Sequence, residues 1–100
     1  MSQTPDIRYV IVHRPGPSWK AGVDFREQPG VMQHVEYYMG VKERGKLALG
    51  GPFLDNTGGM MISTPGLSAD EAFQIAAADP TVKSGLVTFE VWPWYVAVRG

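Results

Sequence analysis

The chain has 100 residues, enough for one domain around one modest hydrophobic core. Its nine Lys and Arg against ten Asp and Glu give a formal charge of −1, and no run of like charges exceeds two, which excludes the footprint of nucleic-acid or anionic-membrane binding. With no cysteine, no basic-then-apolar leader in "MSQTPDIRYV" and no apolar run near the roughly 18 residues of a membrane span, the expectation is a cytoplasmic protein without disulfides, a thiolate nucleophile or a Cys-based metal centre.

"IRYVIVH" (residues 7–13) is short, β-branched and mostly apolar, as a central strand should be. His13 at its end is either a strand-terminal surface residue or a wall of the same cleft as His34, the former preferred. Residues 14–30, "RPGPSWKAGVDFREQPG", are longer than the usual connection of about 4–6 residues, and a long ordered loop of this kind is often a lid or a binding loop. Trp19 and Phe25 are its exposed-looking aromatics, and both are candidates for a lid.

From Val31 the period becomes helical, with Val31, Val35, Tyr38 and Met39 on one stripe, Pro29 at the start and Gly45 at the exit. His34 sits about 60° off the centre of that stripe, at the border of core and cleft. The positive end of the helix disfavours imidazolium, so alone His34 is a neutral base. "KLALGGPFLD" (46–55) reads as a strand kinked at Gly50 and Gly51, "NTGG" as a hairpin turn and "MMISTPG" (60–66) as the returning strand. Gly51 and Pro52 suit a pocket floor, Ser63 is a candidate polar contact, and no glycine pattern here cradles phosphate.

"SADE" (68–71) is a capping box that opens a second helix over 69–78. That helix ends on Asp79 and Pro80, where a carboxylate opposes the negative end of the helix dipole. Pro80 drives Asp79 out of the α region and turns its side chain off the helix axis. "GLVTFEVWPWYV" (85–96) closes as a long strand, with Pro93 tolerable only at an edge or a bend.

The order βαββαβ implies a ferredoxin-like α+β sandwich, with four antiparallel strands and both helices on one face. Strand residues from Tyr9 and Ile11 to Phe89 and Val91 are apolar on both faces, so the uncovered face is expected to bury itself against a second copy. In this fold the start of the first helix and the end of the second approach each other. Asp79 is then placed to orient His34 and stabilise its charged form, as in a His-Asp pair. Two distant histidines without a ligand spacing point to no metal, and no cofactor is implied.

"HVEYYMGVKERGKLALGGPF" (34–53) and "EAFQIAAADPTVKSGLV" (71–87) carry an ordered set: His, then G-K-L with G-G-P, then D-P followed by G-L. This set resembles the YCII-related (YciI-like) family over most of the chain. The resemblance implies a dimeric α+β barrel and a cleft holding a His-Asp dyad, here His34 and Asp79. It also implies kinship with muconolactone isomerases and with enzymes that dehydrochlorinate hydroxylated aromatics. The function expected is a small cofactor-independent lyase, isomerase or dehydrohalogenase acting on a cyclic or aromatic oxygenated molecule. The alternative is a dimeric ligand-binding module in which the two side chains merely tie helix to helix.

Overall fold

The β-branched run near the N-terminus becomes β1 (Ile7–Pro15) in the computed structural model, which describes residues 4–100. It is followed by α1 (Val31–Glu43), β2 (Leu47–Pro52), β3 (Gly59–Ser63), α2 (Ala69–Ala77), α3 (Pro80–Lys83) and β4 (Val87–Tyr95). The strands form one antiparallel sheet in the order β2-β3-β1-β4, the ferredoxin-like α+β topology. As an edge strand, β4 tolerates Pro93, which has no N–H to donate and lies opposite Tyr9.

Local chemistry explains where the helices begin and end. Gly30, at φ 90°, precedes α1, and Gly45, at φ 76°, follows it; there Gly45 N–H donates to Lys42 O and Lys46 N–H to Val41 O, a Schellman closure that only a left-handed residue permits. Ser68 caps α2 by accepting from Glu71 N–H. The second helical segment is shorter than the 69–78 expected. It stops at Ala77, and a separate turn, α3, starts at Pro80 with Asp79 as its N-cap.

The core lies between the helices and one face of the sheet, around Ile11, Tyr38, Val41, Ile75 and Ala76, with Leu47, Met61, Phe89 and Val91 packed against it. Residues directly opposite in register share a face, so Ile11 with Met61 and Val91 marks the helix side. Most of the apolar residues that the sequence suggested for both faces therefore belong to this side. The uncovered side is nonetheless apolar: Val10 lies between Ile62 and Trp92, and Val12 is paired with Met60. Trp92 is 56% and Leu49 59% exposed there. The irregularity in β2 falls between Leu47 and Leu49, whereas Gly50 and Gly51 pair regularly with Met61 and Met60. A Cβ on Gly50 would sit 2.1 Å from Met61 Sδ, so that glycine makes room for a side chain and does not bend the strand. No helix among the described residues is long and apolar enough to cross a membrane.

Candidate active site

Asp79 is wholly buried, and both of its oxygens are engaged. Oδ1 accepts from Thr81 N–H at 2.9 Å and from Thr81 Oγ1 at 2.8 Å. Oδ2 lies 2.6 Å from His34 Nδ1. A carboxylate can only accept, so the proton of this bond sits on Nδ1 and His34 Nε2 is the nitrogen free to meet a ligand. Burial by itself would raise the Asp79 pKa. The hydrogen bond and charge of His34, with the Thr81 hydrogen bonds, outweigh it and hold the carboxyl below its usual range. The charge at the end of α2 is thus no electrostatic misfit. Asp79 caps the next helical turn, with Pro80 at its first position, so the carboxylate faces the positive end of α3.

His34, its side chain 18% exposed, forms part of the wall of a cavity of about 300 Å³ between α1 and the sheet. Gly51 and Pro52 from β2 line the cavity, and so do Trp19 and Phe25 from the long loop. Among the described residues, no Lys, Arg, Asp or Glu lines it. Ser63 lies elsewhere: it is buried, its Oγ accepts from Tyr9 N–H and donates to Thr64 O, and it is not part of the cavity wall. Its hydroxyl serves the sheet, where it satisfies a strand N–H that would otherwise lack a partner.

His13 takes the second of the two placements the sequence allows, a wall of the cavity. It is 3% exposed, not a surface residue, because it shares the face of Ile11 two residues earlier and so turns toward the helices. Its Nε2 is 3.7 Å from Asp79 Oδ2 and 3.4 Å from the Tyr38 hydroxyl, and its ring stands edge-on to that of His34 with 5.0 Å between centroids. Its Nδ1 is buried without a partner among the described residues. Burial first, then the nearby His34 charge, lowers its pKa from 6.5 to about 4, with Asp79 opposing. Strict alternation from Ile11 was the signal in the sequence that could have placed it. For Thr81, the signal was Asp-Pro read as N-cap and first helical position.

His13, His34 and Asp79 offer donor atoms within 4.8 Å of one another, which is the composition of a metal site. The His34–Asp79 spacing is that of a shared proton, whereas His13 Nε2 stands 3.7 Å from Asp79 Oδ2. Donors on one tetrahedral zinc, each at roughly 2.0–2.1 Å, stand more than about 3 Å apart. The His34 to Asp79 contact is 2.6 Å, and among the described residues His13 lacks the acceptor on its second nitrogen that a ligating histidine normally has.

The 14–30 loop is pinned at several points. Gly16 N–H donates to Leu86 O, Ser18 N–H to Gly85 O and Phe25 N–H to Asn56 Oδ1. Gln28, 3% exposed, stitches the loop to itself: its Nε2 donates to Lys20 O and Val23 O, and its Oε1 accepts from Lys20 N–H. Trp19 and Phe25 thereby stand on a loop that is tied through its backbone to the rest of the fold. Gln28→Ala is expected to cost about 1–3 kcal/mol, because buried backbone groups lose their partners, and to raise amide exchange across 14–30 specifically. Unchanged protection in that segment would refute the role given to Gln28.

Comparison with known proteins bears on this geometry. A family model described as a YCII-related domain matches residues 7–95. A search of curated protein sequences finds no match. Among solved structures, the fold is similar to that of 5-chloro-2-hydroxyhydroquinone dehydrochlorinase (TftG) from Burkholderia phenoliruptrix AC1100, determined in complex with 2,5-dihydroxybenzoquinone. The TM-score is 0.63 at 22% identity, over 87% of this chain and 92% of that one.

Proposed function

The chain belongs to the family of YCII-related domains, and from that premise we propose that it is a cofactor-independent enzyme transferring protons on a small, uncharged, oxygenated ring compound. One observation carries this reading: a buried carboxylate 2.6 Å from a histidine that lines an apolar cavity of about 300 Å³. His34 Nε2 takes a proton from the substrate, and the resulting imidazolium is held by Asp79, whose position behind the ring fixes the tautomer. The proton then returns at another atom, or leaves with a departing group as in a dehydrohalogenation. Gly51 and Pro52 form the floor, and Trp19 and Phe25 stack on the ring. A cavity without Lys or Arg among the described residues suits a neutral or singly ionisable hydroxylated ring and offers no counterion for a polyanion.

The comparison structure holds a hydroxylated quinone. The test is therefore turnover of hydroxylated and chlorinated hydroxyaromatics and of lactones by the wild type and by His34 variants. Turnover that survives loss of His34 removes the dyad from the mechanism. Binding without turnover, in wild type and variants alike, supports the ligand-binding module instead.

We propose further that the uncovered sheet face is buried against a second copy, since Leu49, Met60 and Trp92 are exposed apolar side chains on that face. Light scattering should give a dimer for the wild type and a monomer for Trp92→Asp. A wild-type monomer at micromolar concentration would refute the dimer.

A further inference from the structure

The dyad is held by a third side chain that the reaction as described does not use. Thr81 is 1% exposed. Its hydroxyl donates to Asp79 Oδ1 at 2.8 Å and lies 3.2 Å from His34 Nδ1, so one oxygen touches both members of the pair. Its backbone N–H reaches the same Oδ1 at 2.9 Å. Together the two donors fix the plane of the carboxylate and turn Oδ2 toward the imidazole. The hydroxyl proton is given to Asp79, and a lone pair faces the Nδ1 proton, which is thereby shared between Asp79 Oδ2 and Thr81 Oγ1. The other branch of Thr81 faces the start of α1: its Cγ2 is 3.7 Å from where a Cβ would stand on Gly30. One residue therefore sets both the carboxylate and the helix that carries His34.

We infer that Thr81, which forms part of the cavity wall, is the positioning residue of the His34–Asp79 pair, acting through a hydroxyl that is engaged by Asp79 and His34 and sets the orientation of the carboxylate. This rests on the dyad reading for its catalytic consequence, and on geometry alone for its structural one. Because the hydroxyl is already committed to Asp79 and His34, its loss changes the rate and not the affinity. Valine is nearly the same shape and lacks the hydroxyl, while serine keeps the hydroxyl and lacks the methyl. The pair of variants therefore separates hydrogen bonding from packing.

The decisive measurement is proton NMR of the His34 Nδ1–H resonance in the free protein, which needs no substrate. In the wild type that proton should be protected from exchange with water and show a cross-relaxation peak to the Thr81 side chain. In Thr81→Val it should exchange faster and lose intensity, and Thr81→Ser should restore it. Where a substrate is found, Thr81→Val should lower kcat about tenfold, the effect expected of one hydrogen bond to a charged group, with KM unchanged, and Thr81→Ser should recover most of it. An unchanged Nδ1–H resonance in Thr81→Val overturns the inference, and so does a serine variant that behaves like valine. A rise in KM at constant kcat also overturns it, because the hydroxyl would then contact the ligand. If Thr81→Val does not fold, the wild-type cross-peak decides alone, and its absence counts against the inference. Loss of the resonance in Thr81→Val with no turnover in any form would leave the positioning role standing and remove the catalytic reading of the dyad.

Discussion

Replacing His34 by alanine should lower turnover by about 10²–10⁴-fold, the usual contribution of a general acid or base. Alanine also strips the buried Asp79 of a donor and costs about 1–3 kcal/mol of stability, so the informative partner is His34→Asn. An asparagine amide presents an N–H close to the position of imidazole Nδ1 and can still donate to Asp79 Oδ2, but it has no nitrogen that takes up a proton near neutrality. If His34 transfers protons, both variants lose the rate, while the asparagine form keeps most of the stability. If the pair only ties α1 to the segment after α2, the asparagine form retains function as well as fold. Melting temperature and turnover measured on both variants separate the two cases, and comparable turnover in wild type and His34→Asn would refute the dyad.

The second large effect is acid sensitivity from His13. In the unfolded chain this histidine takes up its proton near pH 6.5, whereas in the fold it does so only near 4. Between those values the unfolded state binds more protons, so stability rises with pH and falls as the solution is acidified. The contribution is fully present above about pH 6.5, declines through the window and is exhausted near 4. It amounts to roughly 3 kcal/mol for a fully desolvated ring. Asp79 acts in a different window: with its carboxyl held below the usual range, its contribution is intact above the unfolded value of 3.8 and is lost only as the pH drops further. Urea unfolding at pH 7, 5.5 and 4 should therefore show a steep loss in the wild type and a much flatter one in His13→Leu, whatever the two proteins' stabilities at neutrality. Parallel curves would mean that His13 is not buried neutral.

These expectations differ in how early they can be read. Strands, helices and their order follow from local signals: the β-branched run that makes β1, the helical stripe closed by Gly45, the Ser68 capping box. The family pattern marks His34 and Asp79. The β2-β3-β1-β4 order follows in turn, because right-handed crossovers leave few ways to arrange βαββαβ in one small sheet. Three-dimensional packing then decides what each polar side chain touches. Ser63 and Thr81 are both small hydroxyl residues beside the apolar core, yet one satisfies the N–H of Tyr9 in the sheet and the other holds a carboxylate.

The same division applies to the site as a whole. The sequence by itself allowed a histidine at the start of one helix and an acidic residue after the other to approach at one end of the sheet, since in this connection order the two helices run antiparallel. It determined that Pro80 would aim the carboxylate away from α2. Only the tertiary structure decided that Asp79 caps a new turn, that His13 completes a ring cluster behind it, and that the long loop stands as a pinned wall. Each of these depends on burial and on hydrogen bonds between residues far apart in the chain, such as Phe25 with Asn56 and His34 with Asp79. Contacts of that kind leave no periodic trace, because the energy that selects them comes from excluding water at a place that does not exist until the chain has folded.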